Sequence, residues 1–183
     1  MKNWIIDPSH SEVQFKVKHL MISTVTGSFG EYEGTLTTTE EGELLEGAKA
    51  SFTAQIDSIS TGNEQRDGHL KSGDFFDAEN SPTLSFESTS FTRKSGDTYT
   101  VEGNLTMRGN TKPVTLTAEY GGQMVDFYGN NKVGFEIEGK ISRKAFGLTW
   151  EGVTEAGGVV VSDDVRLILN VQFTQVVEEE AAA

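Results

Sequence analysis

From Val165 to Phe173 the apolar residues Val165, Leu167, Leu169, Val171 and Phe173 fall at every second position. Neighbouring side chains on an extended chain point to opposite faces, so this spacing makes a strand with one apolar face and excludes a helix there. The same period recurs about eight times along the chain. Val13, Phe15, Val17 and His19 form the first repeat, and Phe29 and Leu36 flank Tyr32-Glu33-Gly34 in the second. Ala48, Ala50, Phe52, Ala54 and Ile56 follow, then Leu84 and Phe86, then Tyr99, Val101, Leu105 and Met107. Val114, Leu116, Ala118 and Tyr120 precede the repeat of Val133, Phe135, Ile137 and Ile141. Lys94 to Thr98, Met107 to Pro113 and Tyr120 to Gln123 are short links carrying Gly, which suits tight turns between antiparallel neighbours.

An all-β chain of eight antiparallel strands with one apolar face each can close into an up-and-down barrel, which removes exposed edges and encloses an internal apolar pocket. A sandwich is the alternative. The inward positions favour the barrel, because Ala48, Ala50, Gly103 and Gly139 alternate with larger residues and leave interior room. Ordinary tapering of a core accounts for the same small residues.

One segment breaks the pattern: "TGNEQRDGHLKSGDFFD", Thr61 to Asp77. Thr61-Gly62-Asn63-Glu64 fits a capping box for a helix reaching about Ser72, with Gly73 suited to a left-handed cap. On it Arg66, His69 and Leu70 share a face, and Asp67 falls one turn before Lys71. Asp74 is placed to cap a further turn through Phe75, Phe76 and Asp77. Only one of the adjacent aromatics is expected to face the core. Such a helix would plug one end of the barrel. A second interruption, Arg143 to Asp164, is long for a hairpin link and reads as a lid, with Phe146 and Trp150 over the mouth and Gly157-Gly158 as hinge.

A formal net charge of −13 repels nucleic acid, so no nucleic-acid partner is expected. The chain has no cysteine, and His10, His19 and His69 are its three histidines, none at the helical spacing of a metal pair. Neither a metal site, a cofactor nor a catalytic residue is therefore assigned. Near the N-terminus only Trp4, Ile5 and Ile6 form an apolar run, short of a secretory signal, so the chain as written reads as cytoplasmic. A processed exported chain lacks its signal as well and would be periplasmic. Residues 1–177 read as one domain and Glu178 to Ala183 as an acidic, alanine-rich tail.

Five blocks in fixed order, "WIIDPSHSEVQFKVKH" from Trp4, "GSFGEYEG" from Gly27, "SISTGNEQRDGHLKSGDFFD" from Ser58, "SPTLSFES" from Ser81 and "GNLTMRGNTKPV" from Gly103, resemble the YceI-like polyisoprenoid-binding proteins. The resemblance implies an extended lipocalin-like barrel that binds, sequesters or transports a long isoprenoid, such as a polyprenyl quinone, or a related fatty amphiphile. Brief membrane contact would accompany that role, and a homodimer stays open. On this reading the pocket is lined by Phe15, Val17, Phe29, Phe52, Ile56, Leu70, Phe75, Phe86, Leu105, Leu116, Phe135, Leu167 and Leu169, with Phe146 and Trp150 covering it. Arg66, Asp67 and His69 form either a headgroup contact or a structural cluster that fixes the helix. Two alternatives stand beside the carrier: a barrel-mouth hydrolase or isomerase using His69 and nearby carboxylates, and a stress-related interaction module.

Overall fold

The computed structural model describes residues 1–39, 45–152 and 160–177; the expected hinge at Gly157-Gly158 and the tail from Glu178 lie outside them. The strands in chain order are β1 (Lys2–Ile6), β2 (Glu12–His19), β3 (Ser23–Phe29), β4 (Tyr32–Thr38), β5 (Lys49–Gln55) and β6 (Ile59–Ser60). After helix α1 (Glu64–Lys71) come β7 (Thr83–Ser95), β8 (Thr98–Met107), β9 (Asn110–Val125), β10 (Asn131–Ser142) and β11 (Val161–Gln175).

These segments form a closed antiparallel barrel of eight staves. Three staves are broken into two collinear strands: β1 with β2, β4 with β3, and β5 with β6. The meander then runs β5, β7, β8, β9, β10, β11, and β11 returns to the first stave, pairing with β2 over Val161 to Asn170 and with β1 over Phe173 to Gln175. The eight sequence repeats correspond to these eight staves. Closure of β11 on β1 pairs the staves edge to edge at the end carrying the termini, while at the other end β3 meets β6 only at Ser28 and Phe29.

Strand β1 escapes the periodicity reading, because Trp4-Ile5-Ile6 looks like a continuous apolar run. In the fold Trp4 and Ile6 are buried while Ile5 is half exposed, so the two-residue rule holds over a segment too short to display it. The break after β1 is local chemistry: the Asp7 carboxylate accepts from the Ser9 backbone N–H, and Pro8 opens a single 3-10 turn through His10.

The inner face carries the apolar set. Along β8, Tyr99, Val101, Gly103, Leu105 and Met107 are buried while Glu102 and Asn104 are exposed. Burying a side chain the size of Val, Leu or Phe contributes about 1.5 to 3 kcal/mol, and both core clusters are assembled from such positions. The small inward residues make room chiefly for neighbouring side chains: the ring of Phe86 occupies the space a Cβ at Gly103 would take, and Leu116 does the same at Gly139.

Helix α1 departs from expectation at both ends. Its N-cap is Asn63, whose side chain accepts from the Arg66 N–H at 2.9 Å, and Thr61 lies outside it. Its C-cap, Ser72, is extended, and Ser72 Oγ donates to the carbonyl of His69; Gly73 makes no left-handed cap. Thr61 serves instead as a tether. Asp67 accepts from its backbone N–H and hydroxyl, while Arg66 donates to its hydroxyl and carbonyl, each at 2.8 Å.

Candidate functional site

Between the two core clusters the barrel interior is not filled. An elongated cavity runs along it, with an empty volume of about 1580 Å³ that includes open solvent at its mouth. Every stave contributes to the wall, and Leu70, Phe75 and Phe76 close over it from the helix segment. Only Gln14, Ser51 and Arg143 bring polar side chains among the lining residues.

The two ends differ. At the end carrying both termini, Trp4, Leu36, Leu45 and Val133 are almost wholly buried, and Trp4 Nε1 donates to Thr38 Oγ1 at 2.9 Å inside the packing. That end is a plug. At the helix end the wall residues Val17, Leu70, Phe76 and Val161 are only half-buried, and no residue of α1 is fully buried. The cavity therefore opens beneath α1.

Of the residues named from sequence, Phe15, Val17, Phe29, Phe52, Leu70, Phe75, Phe86, Leu105, Leu116, Phe135, Leu167 and Leu169 lie on the wall. Ile56, Phe146 and Trp150 do not. Ile56 falls in a 3-10 turn just past β5, where the strand phase ends, and packs into the core with 1% exposure. Phe146, 2% exposed, is buried in the 3-10 turn Lys144–Phe146. Trp150 stacks edge-on against His69 at 4.8 Å and leans on Phe75 at 5.4 Å, so it backs the wall from behind. Phe75 and Phe76 both face the cavity, contrary to the expectation of one; they sit in an irregular turn, where strand alternation does not apply.

Arg66, Asp67 and His69 are not on the wall. Arg66 and Asp67 hold Thr61, and His69 Nε2 lies 2.9 Å from Asp74 Oδ2 with its ring between Phe75 and Trp150. Arg66 and Asp67 thus fasten α1 to the chain that enters it, and His69 packs the helix segment against the loop that carries Trp150. Among the described residues no group of three or more metal-ligating side chains converges.

Two arginines missed in the sequence organise this end. Arg143, only 4% exposed, donates to four carbonyls: Ser162 from Nε, Leu148 and Trp150 from Nη1, and Val161 from Nη2. Burial lowers its affinity for the proton, and Asp163 and Glu151 oppose that. Arg143 therefore joins Leu148 and Trp150 to Val161 and Ser162 within the segment expected to act as a lid. Arg108 donates to the carbonyls of Gly73 and Phe75 at 2.7 and 2.8 Å, fixing the turn that aims Phe75 inward. An arginine at a strand end within a Gly-bearing turn was the available signal, but its partners lie 33 or more residues away.

The sequence profile of the YceI-like domain matches residues 4–173. Protein YceI of Salmonella newport is 39% identical over 166 residues, covering 91% of this chain and 82% of that protein. Among solved structures, the YceI protein of Campylobacter jejuni matches with a TM-score of 0.73 at 32% identity, covering 89% of this chain and 90% of that one. A polyisoprenoid-binding domain from Saccharophagus degradans, implicated in plant cell wall breakdown, shares the fold with a TM-score of 0.65 at 14% identity, covering 93% and 97% of the two chains. An eight-stave barrel plugged at one end and lidded by a short helix, together with these matches over nearly its whole length, places the chain in the YceI-like family.

Proposed function

We propose that the chain binds a long-chain isoprenoid amphiphile, such as a polyprenyl quinone, inside the barrel and carries it without chemical turnover. The observation that supports this most is the cavity itself, elongated, closed at one end and apolar along its wall. The ionic group on that wall, Arg143, is committed to four carbonyls, so an apolar chain meets no unpaired charge. The likeness to a polyisoprenoid-binding domain points the same way.

Moving one isoprene unit out of water is favourable by about 4 kcal/mol, at about 0.8 kcal/mol per carbon group. A few units offset the roughly 4 to 15 kcal/mol that association costs. From a bilayer the gain is far smaller, so such a carrier exchanges lipid with membranes and does not extract it irreversibly.

Mass spectrometry of an organic extract from the natively expressed, purified protein tests the proposal. The expected result is a near-stoichiometric polyprenyl or fatty amphiphile, present again after a stripped sample is incubated with quinone-containing vesicles. An empty extract in both cases overturns it.

A further inference from the structure

The hairpin joining β2 to β3 is built from residues that fold stability alone would not select. The turn is closed by the Ile22 N–H donating to the His19 carbonyl, and its central residues Leu20 and Met21 have φ of 52° and 60°. Hairpin turns in that left-handed region favour Asn and Gly, because a larger side chain is strained there. Here the strained positions carry long apolar side chains turned to solvent, Leu20 37% and Met21 65% exposed, and Ile22 beside them is 83% exposed. Neither strain nor exposure helps the isolated barrel.

Below the tip, on the outer face of the same staves, lies a row of like charge. Arg166 on β11 stands directly opposite Lys16 on β2 and Lys140 on β10. Lys18 follows on β2, three residues before Met21. Like charges facing each other across strands repel. Asp164 reaches the row, 3.7 Å from Lys140 and largely exposed with it, and Glu138 lies exposed on the same outer face two residues before Lys140, which leaves four bases against two acids in a chain whose formal net charge is −13. The tip stands at the helix end, tied to the cavity rim by the Leu20 N–H donating to the Val160 carbonyl beside the wall residue Val161.

We infer that this end docks on a bilayer bearing anionic headgroups, with Leu20, Met21 and Ile22 entering the interface and Lys16, Lys18, Lys140 and Arg166 facing the phosphates. The combination of an apolar tip with a basic flank matches the two attractions that hold peripheral proteins to membranes. This builds on the carrier reading by orienting the cavity opening toward the lipid, but it concerns the outer surface alone. Docking and ligand uptake can therefore fail separately.

The test is cosedimentation of the full chain with vesicles of phosphatidylcholine, with and without about one third phosphatidylglycerol. Wild type should bind the anionic vesicles at low salt and be released as salt rises. Leu20→Asn with Met21→Gly relieves the turn while removing its apolar side chains, so this variant should fold at least as stably and lose binding ten-fold or more. Each of Lys16→Ser and Lys18→Ser should weaken binding about five-fold. Replacing Phe127 and Tyr128, 98% and 86% exposed at the opposite end, by serine should leave binding unchanged. Ala50→Trp, which fills the cavity, should still dock. The inference is overturned if wild type ignores anionic vesicles at low salt, if the turn variant folds and binds as wild type does, or if binding follows Phe127 and Tyr128. Salt-independent capture of an acidic protein through the same tip, with no vesicle binding, would likewise overturn it.

Discussion

The ring of Phe15 on β2 lies over Gly27 on β3, its cross-strand partner, and occupies the space a Cβ there would need. Phe15 also lines the cavity, so the glycine decides how far the ring stands out from the wall. Gly27→Ala should swing the ring into empty space instead of forcing the strands apart. The expected cost is about 1 kcal/mol, the low end for overpacking, or a fall in Tm of about 3 °C. Uptake of a long amphiphile should drop more than stability does. A calorimetric Tm compared with ligand retained per protein checks this, and a large Tm loss with normal uptake would refute it.

Ala50 faces the cavity on β5 opposite Leu36 on β4. An indole at Ala50 has room to enter that space, so Ala50→Trp should stay folded with Tm within about 3 °C of wild type, while retained ligand falls at least ten-fold. Stoichiometric lipid in the extract of the folded variant would place the binding site elsewhere.

Arg143 joins Leu148 and Trp150 on one side of its link to Val161 and Ser162 on the other. Arg143→Met leaves buried carbonyls unpaired and should cost about 3 kcal/mol or more, a fall in Tm of roughly 6 to 12 °C. Arg143→Lys should recover only part of this, since one ammonium cannot reproduce the spread of a guanidinium. Denaturant melts and hydrogen exchange at Leu148 and Val161 report the two effects; full rescue by lysine would contradict the assignment.

Asp7 and Lys132 lie 125 residues apart in sequence and 2.8 Å apart in space, tying the broken first stave to β10. The bond from Lys132, followed by that from His10, holds the Asp7 carboxyl far below the usual carboxylate range, against the opposing effect of burial. A depressed folded-state pKa stabilises the protein above the unfolded value of about 4, and that contribution is lost as pH falls below it toward the folded value. Asp7→Asn should therefore destabilise by about 2 kcal/mol at pH 7. Its deficit relative to wild type should shrink steadily below about pH 4. Urea titrations at several pH values measure it, and a deficit that does not change with pH would exclude this origin.

Local chemistry alone carried much of the fold. Alternation marked all eight staves because side-chain direction in a strand depends only on position, and the Gly-bearing links at Lys94 to Thr98 and Met107 to Pro113 are turns between antiparallel neighbours. The link expected at Tyr120 to Gln123 instead lies within β9, where its glycines sit at a bulge opposite Gly134 and Phe135, and the chain turns later, at Asp126 to Asn130. The helix was legible through its capping residues, though Asn63 is the cap and Thr61 bonds to Arg66 and Asp67 instead. Twelve of the fifteen apolar residues assigned to the pocket lie on its wall, while Ile56, Phe146 and Trp150, all outside regular strands, do not.

What the sequence determined by itself was which face of each strand is apolar. Whether an inward residue packs or lines open space was decided in three dimensions: Tyr99 and Val101 occupy successive inward positions on β8, yet Val101 lies on the cavity wall and Tyr99 does not. That difference depends on the opposite wall, which no local pattern encodes. Closure of β1 on β11, the bonds from Arg108 to the carbonyls of Gly73 and Phe75 and the alignment of Lys16, Arg166 and Lys140 likewise join residues far apart in sequence. They exist only once strand register has been fixed around the whole barrel, because register alone determines which side chains become neighbours.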